Sequence, residues 1–362
     1  MTPFPTRPKL DHPFGDDRPE ATDIRQVAEG LYWVRFAIPI PGLNYINLWL
    51  IDDGDDGWAM VDTGIRSKDI RLWWEDVLTT KLDGRPLSRI FCTHFHPDHL
   101  GQAGGLRKRW GCDLWMTLGE WAFGRMLVLD QEDHVPDDVL AHYRKIGYSQ
   151  EMLDTVVEQG YSNMSRAMTK IPRAFRRMTH QDRIRIGDHE WQVIVGRGHS
   201  PEHACLYSEH HGILISGDQI LPSITPHIGV YPAEPDANPL QLYIDSLDRF
   251  RHLPDDTLVL PAHGDPFRGL HARLDYLGDH HHARLAALWE FADHPMTIME
   301  LLPSIFIRKL RKSDIPMAIS EAISHIHMLI GQGRMVRSVG DDGVYRYAAT
   351  GSAPEYAGQA AA

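Results

Sequence analysis

The chain is poor in cysteine, with only Cys92, Cys112 and Cys205 among its 362 residues and no CxxC pair. That excludes a disulfide scaffold and a cysteine-built zinc site, and it makes a reducing, cytoplasmic setting the expectation. No apolar run approaches the roughly 18 residues of a membrane span. The opening stretch MTPFPTRPKLDHPFGDDRPE is rich in proline and charge where a signal peptide would be apolar. Basic residues are also short, 37 against 49 acidic ones, for a formal charge of -12. Such a surface repels phosphate backbones and anionic membranes, so a nucleic-acid partner would need a local basic patch. There is no internal repeat. The balance of 43% hydrophobic and 24% charged positions is that of a globular protein with one large domain and a small one, or two of moderate size. Histidine is the one excess, with 22 residues.

Residues 1–22 read as a flexible arm. Short β-type runs follow near residues 31–37, 46–51 and 58–61, then a helix from Ser67 to Leu82 and a strand over residues 89–93 that ends directly in His94. Strand signals vanish from residue 118 to about 180, which reads as an all-helical insertion of three helices; the clearest has Ser149 as N-cap and Gly160 as terminator. Strands and helices mix again to a long helix over residues 270–291. Residues 293–349 differ: a helix opened by Asp314 and Pro316, with Ile315, Ile319, Ala322, Ile323, Ile326 and Ile330 as its stripe, precedes a hairpin at Gly340-Asp341-Asp342-Gly343. This order predicts a small winged-helix-like domain. Residues 350–362 read as a disordered tail.

The strongest chemical signal is Thr93-His94-Phe95-His96-Pro97-Asp98-His99 at the end of an apolar strand. Three imidazoles and a carboxylate this close suit zinc, with iron or manganese as alternatives. Further histidines and carboxylates stand where other strands run out: His199 in Gly198-His199-Ser200-Pro201-Glu202-His203, Asp218 after Ser216-Gly217, and His263 in Pro261-Ala262-His263-Gly264-Asp265.

In this order and with these flanks, the four motifs resemble the metallo-β-lactamase superfamily over nearly all of residues 25 to 290. The resemblance implies an α/β fold, a four-layer αβ/βα sandwich of two mixed sheets with helices outside, here spanning residues 23–292 with the insertion at 118–180. It also implies two Zn²⁺ ions per chain (iron or manganese as alternatives), one on His94, His96 and His199 and one on Asp98, His99 and His263, with Asp218 bridging. Asp62, in Val61-Asp62-Thr63-Gly64, matches the aspartate that holds the ligand loop. Asp218 stands where some members carry cysteine, so the ligand set looks like the glyoxalase II type. Two close cations sharing a water lower its pKa from about 15.7 toward about 7, and Asp98 is the expected acceptor of that water's proton.

Other signals carry less. His203 reads as a structural residue of its loop, and His280, His281 and His282 as mostly solvated. Cys92 and Cys205 read as small core residues. Met126, Met164 and Met168 either line a pocket or form the core of the insertion. Arg308-Lys309-Leu310-Arg311-Lys312 is the compact basic run, but residues 290–347 hold seven basic and seven acidic side chains, unlike a DNA reader. The expectation is a dinuclear hydrolase that turns a metal-bound hydroxide on a small carbonyl substrate, a thioester of coenzyme A or glutathione or another ester or lactone. The competing class is a nucleic-acid-processing phosphodiesterase. Partners are a small-molecule substrate, no nucleic acid and no membrane; the apolar stripe of the C-terminal region is expected to bury against the hydrolase domain, a second copy of the chain, or both, and removal of the region to leave the metal chemistry intact.

Overall fold

Alternation along the strands decides the layers in the computed structural model, which describes residues 4–161, 164–306 and 309–354. The first sheet runs in chain order: β1 (Ile24–Ala28), β2 (Leu31–Ala37), β3 (Tyr45–Asp52), β4 (Trp58–Val61), β5 (Leu87–Phe91), β6 (Asp113–Met116) and β7 (Arg176–Arg177). Its first four strands pair antiparallel and the later ones parallel. The second sheet holds β8 (Arg183–Ile186), β9 (His189–Gly196), β10 (His203–Ser208), β11 (Ile213–Gly217) and β12 (Leu258–Pro261) in the order β12-β11-β10-β9-β8.

On β3, Trp49 and Ile51 point toward the second sheet, where they meet Trp191, Val193, Leu206 and Ile215. Ile46, Leu48 and Leu50 point the other way, onto helix α1 (Lys68–Asp76), which Ser67 caps by accepting from the Ile70 amide. The period of two thus splits each strand between an inter-sheet core and a sheet-on-helix core. The four-layer sandwich follows.

Two short helices, α2 (Pro97–Leu100) and α3 (Ala103–Trp110), follow β5. Among the described residues the insertion holds four helices, not three: α4 (Leu118–Leu129), α5 (Asp137–Lys145), α6 (Gln150–Gln159) and α7 (Met164–Ala167). It also holds the short edge strand β7, so it is not all helical. Arg176 and Arg177 are exposed there and carry no apolar alternation to betray a strand. Met168 is core, whereas Met126 is exposed.

The far side of the second sheet is covered by α8 (Pro239–Leu247), α9 (Leu270–Phe291), α10 (Ile298–Ile305) and α11 (Ile315–Gly331). The hairpin β13 (Met335–Val339) and β14 (Tyr345–Ala349) closes this end. One contiguous core joins Ile194, Cys205 and Leu214 of the sheet to Leu274, Ile298, Ile319, Ile323, Ile326 and Tyr347. The isoleucine stripe of α11 therefore buries within this chain. His281 is fully buried, with its Nδ1 3.2 Å from His325 Nε2, because α11 covers that side of α9. This corrects the solvated reading for the middle histidine of the triplet.

The described part of the N-terminal arm, residues 4–22, is also engaged. Arg18 grips both carboxylate oxygens of Asp265 at 2.6 and 2.8 Å, Asp11 bridges to Arg268, and Phe14 packs on Trp33. Of the tail, residues 355–362 lie outside the described residues, as does Arg308 of the basic run.

If the C-terminal helices and second sheet share one core, Ile323→Ala should cost about 2–5 kcal/mol and leave a single cooperative denaturant transition. A separate early transition of the C-terminal region, seen as two steps by tryptophan fluorescence and circular dichroism, would contradict that.

Candidate metal centre

The site lies where strands of both sheets end. The chain leaves β4 through Asp62, whose backbone is left-handed (φ 62°) and whose buried carboxylate accepts from the Thr93 amide at 2.8 Å, the Thr93 hydroxyl at 2.8 Å and His99 Nδ1 at 2.7 Å. That fixes the loop after β5. Pro97 opens α2 at a position where no amide donor is needed, and the single turn presents Asp98 and His99 together.

From the second sheet come His199 after β9, Asp218 after β11 and His263 after β12. Gly217 (φ 51°) has to be glycine, because a Cβ there would stand 2.6 Å from the His203 ring. His203 Nε2 accepts from the Asp218 amide at 3.1 Å, which is the structural role its position predicts.

The seven predicted side chains converge. Ligand-type atoms of His94, His96, His199 and Asp218 lie within 4.8 Å of one another, and so do those of Asp98, His99 and His263. His94 Nε2 is 2.8 Å from His96 Nδ1 and 3.3 Å from His199 Nε2. The Asp218 carboxylate stands between the groups, with Oδ2 3.5 Å from His199 Nε2 and Oδ1 3.6 Å from both His99 Nε2 and His263 Nε2. Asp98 Oδ2 is 3.2 Å from His263 Nε2.

Three of these atoms, His99 Nε2, His263 Nε2 and Asp218 Oδ1, are buried with no hydrogen-bond partner. Buried polar atoms are rarely left so, and together they form an acceptor set shaped for a cation. The outer nitrogens are committed elsewhere: His99 Nδ1 to Asp62, His199 Nδ1 to the His227 carbonyl and His263 Nδ1 to the Tyr45 carbonyl, each at 2.7 to 2.8 Å. Each ring is thus set to turn a bare Nε2 inward. The residues fit a metal.

Electrostatics divides the cluster. Burial, reinforced by the neighbouring imidazoles, holds His94 well below the usual histidine range and His96 at about 3, and burial also lowers His199. These rings are neutral, the form that binds metal. Burial also works against charge on His99 and His263, but facing carboxylates outweigh it: Asp62 and Asp98 for His99, Asp218 and Asp98 for His263. The second group therefore attracts positive charge and the first supplies neutral donors.

Sequence reasoning misses Glu120, because α4 reads as plain insertion. It is fully buried and staples the ligand loops together: Oε2 accepts from the Phe95 amide at 3.0 Å, and Oε1 from the Ser200 hydroxyl at 2.7 Å and the Glu202 amide at 2.6 Å. An acid three residues after Thr117 is the available signal. A further cluster, His189, His210 and His211, also gathers within 4.8 Å. Both His211 nitrogens are engaged there, by Ser208 and the Glu29 carbonyl, and the His189 and His210 rings stack at 3.8 Å, so it offers no convergent third donor.

The metallo-beta-lactamase superfamily profile matches residues 41–263, more than half of the chain and all seven converging residues. The chain belongs to that superfamily. Its C-terminal region matches the metallo-beta-lactamase-like C-terminal domain over residues 285–350. A β-lactamase domain protein from Burkholderia ambifaria is 41% identical with a TM-score of 0.86, covering 94% of this chain and 98% of that one. A metallo-beta-lactamase family protein from Thermus thermophilus is 26% identical with a TM-score of 0.74, covering 90% and 100%. "Probable metallo-hydrolase YybB" of Bacillus subtilis (strain 168) is 24% identical over 67% of this chain and 91% of that protein. The superfamily fold implies divalent metal ions at such His/Asp clusters. Among the described residues, no helix is long and apolar enough to cross a membrane.

Burial pushes the Glu120 carboxyl up to about 7, against the pull of its three donors. Folded Glu120 then keeps its proton to a higher pH than the unfolded residue, which titrates near about 4.3. Stability is fullest below that value and falls as pH rises through 7, by at most about 4 kcal/mol. Glu120→Gln should remove this slope, so the stability difference between wild type and variant should change between pH 5 and pH 8 in urea melts. A constant difference would mean that the three donors keep Glu120 ionised throughout.

Proposed function

We propose that the chain is a dinuclear metal-dependent hydrolase in which His94, His96 and His199 would hold one cation and Asp98, His99 and His263 the other, with Asp218 within reach of both. The observation that carries this is the set of three buried, unpartnered atoms, His99 Nε2, His263 Nε2 and Asp218 Oδ1, facing one another at the junction of the two groups. Divalent cations bound there supply an acidified water and a Lewis acid for the substrate oxygen. A nitrogen and oxygen ligand set suits zinc, and iron or manganese as well.

The chain's own groups do the rest. Asp98 directs Oδ2 at His263 Nε2, and its carboxylate receives the proton of the attacking water. Asp62 and Thr93 keep the His99 and His94 rings from turning. Helix α4 borders the ligand loops, with the Gly119 amide donating to Glu202 at 2.7 Å and the Phe123 ring 4.9 Å from that of Phe95, so the insertion forms a wall beside the reacting atoms.

The substrate class is a small carbonyl compound, a thioester first and an ester or lactone next. Supporting it are the all-Asp/His ligands and the formal charge of -12. The basic run adds no free phosphate grip at its C-terminal end, since Arg311 pairs with Asp314 and Lys312 with Glu151.

Elemental analysis of the purified protein should find close to two metal ions per chain, and Asp218→Ala should lose one of them. Asp98→Asn should lower kcat by roughly 10²–10⁴-fold. A screen of the metal-loaded protein against acyl thioesters, lactones, phosphodiesters, β-lactams and single-stranded RNA should show turnover of the first two. Turnover of RNA or phosphodiesters alone would replace this reading with a nuclease.

A further inference from the structure

The four outer-nitrogen contacts of His94, His99, His263 and His199 do not share one foundation. Thr93, Asp62 and the Tyr45 carbonyl hold the first three from the first sheet and its loops. The acceptor for His199 is the His227 carbonyl, at 2.8 Å, in a stretch of residues 218–238 that has no helix or strand of its own. Such a segment is placed only by what grips it.

The grips come from the C-terminal helices. From α11, the Ser320 carbonyl accepts from the Val230 amide at 3.1 Å. The Ser320 hydroxyl donates to the Met317 carbonyl and so is free to accept from His227 Nε2, 3.2 Å away. Glu321 Oε2 lies 3.7 Å from His227 Nδ1, and its other oxygen is bonded by Arg284 of α9. Both ends of the His227 ring are thereby fixed from α11. Buried Arg273 of α9 adds bonds to the Leu221 and Ile224 carbonyls at 2.5 and 2.6 Å. Glu321 is itself nearly buried, and a carboxylate there is stable only because a guanidinium and an imidazole face it.

We infer that Ser320 and Glu321 are positioning residues for the metal centre: helix α11 sets the His227 carbonyl, and through it the orientation of the His199 ring. This rests on His199 being a metal ligand, as proposed above. It departs from the expectation that the metal chemistry is indifferent to the region beyond residue 293. The C-terminal unit is then part of the centre's support, and its packing is legible as metal affinity.

The test uses full-length protein and three variants: Glu321→Gln, Ser320→Ala and, as control, Thr297→Ala. The control removes the cap of α10, where Thr297 and Glu300 bond reciprocally, and loosens the same unit away from His227. Zinc affinity is read by chelator competition and ligand geometry by the d–d bands of the cobalt(II) form. Glu321→Gln and Ser320→Ala should weaken one of the two ions by about tenfold, as changes behind a ligand do, and shift the cobalt bands. Thr297→Ala should lower the melting temperature and leave both readouts unchanged. Ser320→Ala keeps the backbone bond to Val230 and covers the case in which Glu321→Gln fails to fold. Variants that match wild type in affinity and spectrum, or a control that changes them equally, would overturn the inference while the dinuclear reading stands. Wild type that takes up no metal would overturn both.

Discussion

Asp62 bonds the Thr93 amide, the Thr93 hydroxyl and His99 from a left-handed backbone, and the rest of the centre is arranged around that corner. A non-glycine residue at positive φ costs on the order of 1 kcal/mol, and it persists only where surrounding bonds over-determine it. Here they do. Because the Thr93 hydroxyl donates to Asp62, its oxygen remains to accept from His94 Nδ1, 3.0 Å away, which turns His94 Nε2 inward. His99 is set by Asp62 directly. One carboxylate thus braces two rings, one in each of the two candidate groups.

The second sheet could not add its ligands at random distances. The inter-sheet core of Trp33, Trp49, Trp191 and their neighbours fixes the spacing of the two sheets, and close-packed aromatic cores do not yield by an ångström without cost. Asn47 reinforces the join at the site end: it accepts from Trp33 Nε1 and donates to the Pro261 and Gly264 carbonyls flanking His263. Glu120 does the same between the loops of His94 and His199. The ligand loops are therefore tied to one another as well as to their own strands.

Much of this is legible in the residues. The seven side chains can be picked out because each follows a strand end within a short, distinctive motif, and a motif carries its own local geometry. The strands on either side show as apolar runs. What stays hidden depends on contacts distant in sequence. Arg183 and Arg185 mask β8, whose Ile184 and Ile186 reveal themselves only once β9 pairs beside them. Glu120 looks like a solvated helix residue until Phe95, Ser200 and Glu202 surround it. His281 looks solvated until α11 covers it. The arm of residues 4–22 looks loose because its partners, Asp265 and Arg268, lie some 250 positions away.

The same reasoning bears on where one folding unit ends. Composition and pattern place a boundary near residue 293, and the two family profiles leave residues 264–284 between them, so the chain invites division there. The packing does not respect the division. Helix α9 begins beside the His263 loop, carries Arg273 to the segment behind His199, and ends in the core shared by α10, α11 and β14. The insertion closes the circuit, since Glu120 holds the ligand loops while Ile146, after α5, sits in the C-terminal core. The candidate centre draws its side chains from both sheets and is braced by the insertion through Glu120 and by α9 through Arg273. The orientation of the converging side chains is therefore set by contacts distant in sequence as well as by their own loops.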